Sequence, residues 1–322
     1  MNFAVVGTNF ISDKFCEAAL KVDGAKTVAV YSRADSTGRA FAERHGISKV
    51  YTDYGLMLLD EEIDAVYVAS PTMCHADHAI AALEAGKDVL CEKMIAATYS
   101  EFSKMKQAAV RSGRRLTEAM RPDFDEILIS VSNDIKKIGN IKSAGFDYRQ
   151  YSSRYDRFLA GEVMNAFDPK MKNSALADIG IYPLHYAISL FGSPKNIASE
   201  GVFLHNGFLG SGKSTLSYDG FDADVTYSKT YESENVSEIV GEYGVIRFDK
   251  INEPSYYTLE LYGKGAKTYR ATDDSSNMAS EIAEFIRICD GDAELGDKLL
   301  KTTEKVMLAV DEIYRELNIK FD

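Results

Sequence analysis

The 322-residue sequence has no tryptophan and only four cysteines, six prolines and five histidines. The cysteines are Cys16, Cys74, Cys91 and Cys289. None forms a CxxC pair, so a zinc cage or redox dithiol lacks ligands at the usual spacing. They are expected as buried free thiols that pack as small hydrophobes. No apolar run reaches the ~20 residues that span a bilayer, and a membrane is not an expected partner. The opening MNFAVVGTNF lacks the basic segment and small-residue cleavage site of a signal peptide, so cytoplasmic residence is the expectation. Positive charge is outnumbered: 37 lysines and arginines face 49 acids, a net charge of −12. Such a surface repels phosphate backbones, and nucleic acid is not expected as a partner. Internal repeats and long linkers are missing as well.

What is present reads as an ordinary folded chain, 45% hydrophobic and 27% charged, long enough for two domains. The first 120 residues alternate strand and helix. Apolar runs at 2–6 (NFAVV), 27–31 (TVAVY), 64–69 (DAVYVA) and 87–91 (KDVLC) predict short buried strands, and RRLTEA predicts a last one. Helices are expected at 12–22 with Ser12 as N-cap, at 36–45, at 75–85 before Gly86, and near 99–112. Short buried strands between helices imply α/β: a doubly wound parallel sheet of Rossmann type over residues 1–120.

Past residue 120 the period changes. Residues 122–138 read as helix. The runs IKSAGFDYRQY, KNIASEGVFLH, DADVTYSKTY, YGVIRFD and YYTLELYGK then alternate at period two. They predict a large open, mostly antiparallel sheet with one covered face. Helices near 279–290 and 297–317 close a C-terminal α+β domain over 121–322. Its tyrosine-rich strands carry more apolar surface than two helices cover, so a homodimer or higher homo-oligomer through this sheet is expected.

The chemistry-bearing stations fall at strand ends. After the first strand comes Gly7-Thr8-Asn9-Phe10-Ile11-Ser12. A dinucleotide fold places G-x-G-x-x-G/A there, for the tight turn, the pyrophosphate approach and helix packing. Only Gly7 is retained; Asn9 takes the second place as a residue tolerant of positive φ, and Ser12 the third. An ordinary strand–helix turn fits the same letters. The second strand ends Tyr31-Ser32-Arg33, with no carboxylate for ribose hydroxyls. Ser32 and Arg33 suit a 2′-phosphate, and a solvated Arg33 is the plainer alternative. Ser70-Pro71-Thr72-Met73-Cys74-His75 and Cys91-Glu92-Lys93-Met94 stand at the next strand ends, where α/β sheets bind ligands. Lys93 there can orient or protonate a substrate oxygen, although a surface ion pair also explains it, and helix packing explains His75. In Asp178-Ile179-Gly180-Ile181-Tyr182-Pro183-Leu184-His185, a helix would align Asp178, Tyr182 and His185 on one face for proton transfer. The alternative is Asp178 as helix cap and Tyr182 as core.

Gly207-Phe208-Leu209-Gly210-Ser211-Gly212-Lys213-Ser214 matches G-x-x-x-x-G-K-[ST]. A phosphate loop needs a following helix, and TLSYDGFDADVTY has strand and turn character, so a hairpin loop is expected.

Together the stations resemble the Gfo/Idh/MocA (glucose–fructose oxidoreductase/inositol dehydrogenase) family along nearly the whole chain. The resemblance rests on VVGTNFIS, SPTMCHADHA for P-N-x-x-H, AGKDVLCEKM for A-G-K-x-V-x-x-E-K-P, LADIGIYPLHYAISLFG, EIVGEYGVIRFD and SEIAEFI. The DIGIY form is most similar to the dimeric dihydrodiol dehydrogenase-like branch. It implies a Rossmann domain and then a large open sheet that often mediates dimerisation. By this resemblance Lys93 lies near nicotinamide and substrate, Tyr182 takes the general acid/base position and Asp178 stands one turn earlier beside the substrate. The cofactor set is Gly7, Thr8, Asn9, Phe10, Ile11, Ser32, Arg33, Ser70, Pro71, Thr72, His75, Glu92 and Lys93. Arg121 and His185 are further substrate candidates, and no metal is implied. Asn9 stands for a glycine, Asn173-Ser174-Ala175 for a glycine pair, and Met94 for the proline after the lysine. Because a cis bond before a non-proline residue costs about 2.5–4 kcal/mol, Lys93-Met94 is expected to be trans.

The activity expected is reversible hydride transfer between NADP(H), with NAD(H) possible, and a small carbonyl/alcohol substrate: a sugar, polyol or cyclic diol. A non-catalytic dinucleotide-binding sensor of the same fold is the rival reading. A weaker one is an NTP-dependent enzyme using Lys213.

Overall fold

The computed structural model describes residues 1–162, 164–234, 236–271 and 277–321, and the chain divides into two compact units. The first comprises Met1–Ala96, Ser100–Phe124 and Ser275–Lys301. In it β1 (Asn2–Val6), α1 (Phe10–Ala19), β2 (Lys26–Tyr31), α2 (Asp35–His45), β3 (Lys49–Tyr51), α3 (Tyr54–Leu58), β4 (Ala65–Val68), α4 (His75–Glu84), β5 (Asp88–Glu92), α5 (Tyr99–Ser112) and β6 (Leu116–Ala119) follow one another. All strand pairs are parallel, in the order β3-β2-β1-β4-β5-β6. This is the doubly wound Rossmann order. The winding reverses between β1 and β4, so a crevice opens at their C-terminal ends. β1, β4, β5 and β6 are buried at every residue or at all but the first. Tyr67 of β4 stacks on Phe15 of α1 at 3.8 Å, and Phe3 of β1 meets Phe15 edge-on. A helix from the far end of the chain, Asn277–Cys289, completes this core with Met278, Ile282 and Phe285. Gly86 adopts φ +79° just after α4, as its place in the sequence predicts.

The second unit comprises Ala97–Tyr99, Asp125–Asp274 and Thr302–Asp322. Asp125 caps α6 (Glu126–Asp134) by accepting from the Ile127 amide at 2.8 Å. The unit continues through β7 (Ile141–Arg149), α7 (Tyr155–Leu159), a π-helical turn (Leu176–Gly180) and α8 (Ile181–Phe191). Then come β8 (Asn196–Phe203), β9 (Leu209–Ser217), β10 (Asp222–Ser228), β11 (Ser237–Gly241), β12 (Gly244–Phe248), β13 (Tyr256–Leu261) and β14 (Gly265–Arg270). The sheet order is β14-β13-β12-β11-β7-β10-β9-β8, antiparallel except for the parallel β7–β10 pair. The chain ends with α9 (the helix Asn277–Cys289) and α10 (Ala293–Glu316).

Two expectations change here. The segment Gly207–Ser214 is a hairpin loop only as far as Phe208. From Leu209 it is strand β9, with Lys213 opposite Thr226 and ion-paired to Asp224 at 2.9 Å. A strand has no cluster of N-terminal amides to hold phosphate, which removes the physical basis of the NTP reading. The thiols of Cys16 and Cys91 are buried, but Cys74 and Cys289 are only partly so, because they lie at a strand-end turn and a helix end.

Candidate functional site

In the first unit the candidate residues gather at C-terminal strand ends. Gly7 has φ +106°, and a side chain there would meet the Ala69 carbonyl oxygen at 2.7 Å. Only glycine meets both demands, so main chain lines the turn. Asn9 departs from expectation: its φ is −88°, and it, not Ser12, caps α1. Its side-chain oxygen accepts from the amides of Ile11 and Ser12, at 3.0 and 3.2 Å. Its side-chain nitrogen donates to Ala69 O at 2.7 Å. A carboxamide satisfies both kinds of group at once, whereas the Ser12 hydroxyl is buried within the helix. The amides of Thr8, Asn9 and Phe10 take no partner among the described residues, and Asn9 and Phe10 are exposed.

At the end of β2, the Ser32 hydroxyl lies 2.6 Å from that of Thr37, a residue outside the sequence candidates. Arg33 is exposed and makes no ion pair among the described residues. After β4, Pro71 is exposed and Thr72 half-buried in a short 3-10 turn. His75 is buried. Its Nδ1 lies 3.0 Å from the Met94 carbonyl and its Nε2 2.7 Å from that of Ser70, so the ring bridges the loops after β4 and β5. Burial pushes its pKa down to about 4, so the neutral ring donates to one of the two carbonyls. The Ser70 hydroxyl meets Nδ1 of His78 at 2.9 Å, and the His78 ring packs with Tyr54 and Tyr31.

Glu92 ends β5 below the surface. Its Oε1 accepts from the Tyr67 hydroxyl at 2.5 Å and its Oε2 from the Lys93 amide at 3.2 Å. Burial raises its pKa above the usual carboxylate value, against the pull of that hydroxyl and of Lys93 and Arg121. Lys93 is half-buried. The Lys93–Met94 bond is cis, not trans as expected. The path beyond it is set by remote partners: the Met94 carbonyl meets His75, the Ile95 amide donates to Glu118 at 3.0 Å, and residues 94–97 are buried. Glu281 of α9 is fully buried, with no hydrogen-bond partner on either carboxyl oxygen among the described residues. Burial, then the charge of Glu92, pushes its pKa well above the ordinary value, while Arg121 opposes the shift. Glu281 was not a sequence candidate; its signal is an acid on the apolar face of SEIAEFI.

In the second unit, Ser174 Oγ accepts from the Ala177 amide at 3.0 Å and pairs with the Tyr314 hydroxyl at 2.9 Å. Ser174, not Asp178, therefore caps the helical segment. The π-helical turn widens the backbone where a plain α-helix was expected, and the single stripe of Asp178, Tyr182 and His185 is interrupted. Asp178 is half-exposed on the turn; Tyr182 and His185 are buried on α8. Gly180 lets the turn lie on β10, since a side chain there would meet the Tyr227 ring at 2.7 Å. Tyr182 packs edge-on against Tyr148 with centroids 6.0 Å apart. Tyr148, Arg149, Lys250 and Asn252 line a cavity of about 310 Å³. Asp178 forms an ion pair with the buried Lys229 at 2.6 Å. A lysine at a strand end carries no local mark of its partner, so Lys229 is not evident from the sequence.

Residues 1–120 match the model of an oxidoreductase family with an NAD-binding Rossmann fold. The chain is 37% identical to scyllo-inositol 2-dehydrogenase (NADP(+)) IolU of Bacillus subtilis over 288 residues, 89% of this chain and 88% of that one. The chain belongs to the Gfo/Idh/MocA family of oxidoreductases. Another family member, the trans-1,2-dihydrobenzene-1,2-diol dehydrogenase of Danio rerio, is 30% identical over 100% of this chain and 98% of its own. The family fold recurs in the aldose-aldose oxidoreductase of Caulobacter crescentus, with a TM-score of 0.85 at 17% identity over 99% of this chain and 97% of that one. The chain is thus an enzyme of the oxidoreductase class.

Proposed function

We propose that the chain is an NADP-dependent dehydrogenase that interconverts a secondary alcohol and a ketone on a polyol, sugar or cyclic diol. The 37% identity to an NADP(+)-dependent scyllo-inositol dehydrogenase across nearly the whole chain carries this reading. The first unit fits a dinucleotide. The Gly7 turn presents main chain, and the Arg33 guanidinium is exposed without an ion-pair partner among the described residues. The amides of Thr8, Asn9 and Phe10 would hold the pyrophosphate, with Gly7 shaping the turn and the Ile11 amide occupied by Asn9, and Ser32 and Arg33 would hold a 2′-phosphate. Ser70, Pro71 and Thr72 border the crevice, and His75 holds their loop to that of Met94. When bound, the nicotinamide supplies hydride acceptance or donation. Lys93, braced through Glu92, holds the reacting oxygen. Tyr182 takes or returns the hydroxyl proton, with Asp178 orienting the substrate and Arg121 and His185 as further contacts. Homodimerisation through the eight-stranded sheet and cytoplasmic residence belong to the same proposal. The four free thiols suit a reducing compartment.

The test is reduction of NADP⁺ or NAD⁺ across a panel of inositols, sugars and dihydrodiols. Turnover with NADP⁺ and an inositol or other cyclic polyol is expected. Arg33→Ala should weaken NADPH binding by about 1.5–3 kcal/mol, the loss of a charge-assisted hydrogen bond, and spare NADH. Tight NADPH binding with no turnover anywhere in the panel transfers the protein to the sensor reading.

A further inference from the structure

Lys229 follows β10, and its main chain is held on both sides: its amide donates to Gly210 O at 2.9 Å, and its carbonyl accepts from the Ser152 amide at 3.0 Å. Its side chain is only 4% exposed. The ammonium lies 4.6 Å from the centroid of the Phe167 ring and 5.2 Å from that of Phe208, both fully buried. It donates to the Ala166 carbonyl at 2.6 Å and pairs with Asp178 Oδ2 at 2.6 Å. A buried ammonium is costly unless such partners surround it, so this site is built for a cation. Asp178 is 39% exposed, so the pair joins a rigid interior group to an accessible one. The carboxylate stands on the π-helical turn, one turn before Tyr182. Ala166 and Phe167 belong to the short 3-10 turn Asn165–Phe167, whose Phe167 carbonyl also accepts from Asn206.

We propose that Lys229 is a positioning residue: it holds the Asp178 carboxylate in one orientation and ties the Asn165–Phe167 turn to it. This rests on the reading that Asp178 serves the reaction. A carboxylate that must meet a substrate hydroxyl gains from losing its rotamer freedom before the substrate arrives. The aromatic rings and the Ala166 carbonyl fix the ammonium, and the ammonium fixes the acid.

The experiment compares the parent, Lys229→Met, Lys229→Arg, Asp178→Asn and the double variant Lys229→Met/Asp178→Asn on one accepted polyol. NADPH affinity is read by fluorescence titration and folding by thermal melting. Lys229→Met should lower kcat about tenfold or more, as misplacement of an orienting group does, while the NADPH Kd stays within about twofold. Lys229→Arg, which keeps charge and donors, should recover most of that loss. The double variant should be no slower than Asp178→Asn alone, because without the acid nothing remains to be positioned. A merely structural lysine would multiply its loss with that of Asp178→Asn. That outcome, or a Lys229→Met protein as fast as the parent, overturns the proposal while leaving the role of Asp178 intact. An Asp178→Asn protein as fast as the parent removes the underlying reading as well. Should Lys229→Met fail to fold, Lys229→Gln, which keeps the length and a donor but not the charge, decides by the same comparison.

Discussion

The two sheets bury their strands in different ways, and their chemistry is placed accordingly. In the parallel sheet β4 is buried at every residue and β1 at all but the first. In the other sheet burial alternates along β11, and the edge strands β8 and β14 are largely exposed. Helices cover both faces of a parallel sheet, so polar groups can reach a ligand only where the strands stop. Gly7, Ser32, Ser70 and Lys93 stand at such ends. The second unit instead lays a helical turn on a half-covered sheet, and Asp178 and Tyr182 project from that turn and its helix. Under the proposed function the first unit would offer mainly backbone with one lysine, and the second mainly side chains.

The largest effect should come from removing the group proposed to react in either unit. Lys93→Met and Tyr182→Phe should each lower kcat by about 10²-fold or more, the loss typical of a positioned proton-transfer group. Parent-like turnover in one of them would mean that its unit contributes scaffold alone.

Glycines sharpen the contrast. Gly7 has positive φ and faces a carbonyl, whereas Gly180 has φ −67° and faces side chains, the Tyr227 ring at 2.7 Å and a Leu176 methyl at 3.2 Å. Gly7→Ala should cost about 2 kcal/mol in urea denaturation, and no second substitution should recover it, because the obstacle is main chain. Gly180→Ala should cost about 1–2 kcal/mol by overpacking, and combining it with Tyr227→Leu should cost less than the sum of the two. Rescue at Gly7 or strict additivity at Gly180 would break the distinction.

A pH-dependent effect concerns the acid beneath the parallel sheet. The folded pKa of Glu281 lies above its unfolded value of 4.5, so the folded state holds a proton that the unfolded state releases as pH rises. Stability from this group is complete below that value and declines above it. Glu281→Gln carries no titrating proton, so its stability relative to the parent should rise with pH, by up to about 1.4 kcal/mol per unit. Melting curves from pH 5 to pH 8 that stay parallel would show that Glu281 is ionised in the folded protein. The smallest effect belongs to the open sheet. The Lys213–Asp224 pair is 42% exposed on both sides, so Lys213→Ala should change stability by no more than about 0.5 kcal/mol and leave NADPH and ATP titrations unaltered. Loss of ATP binding would restore the phosphate-loop reading.

Much of the parallel sheet was legible as letters. β1, β4 and β5 show as apolar runs because they are buried on both faces, β2 shows by its TVAVY run although only Ala29 and Val30 in it are buried, and Gly86 marks the end of α4. β3 has three residues, too few for a period, and β9 is LGSGKSTLS, whose glycines and serines hide its alternation. Those glycines answer to a neighbour: Gly212 lies opposite Tyr227, whose hydroxyl would be 2.6 Å from a side chain there.

By itself the sequence determined the alternation of elements, the change of period near residue 120 and the stations at Gly7, Arg33, Lys93 and Asp178–Tyr182, since each is written within one short stretch of chain. Tertiary structure alone decided that Asn9 caps α1 while holding Ala69, that His75 joins two loops, that the Lys93–Met94 bond is cis, that α9 brings Glu281 beneath the parallel sheet and that Lys229 meets Asp178. The reason is distance along the chain. Propensity and periodicity act over a few residues, whereas a buried charge or carbonyl takes whichever partner the fold delivers: Lys229 finds its acid 51 positions away, and Asn9 its carbonyl 60.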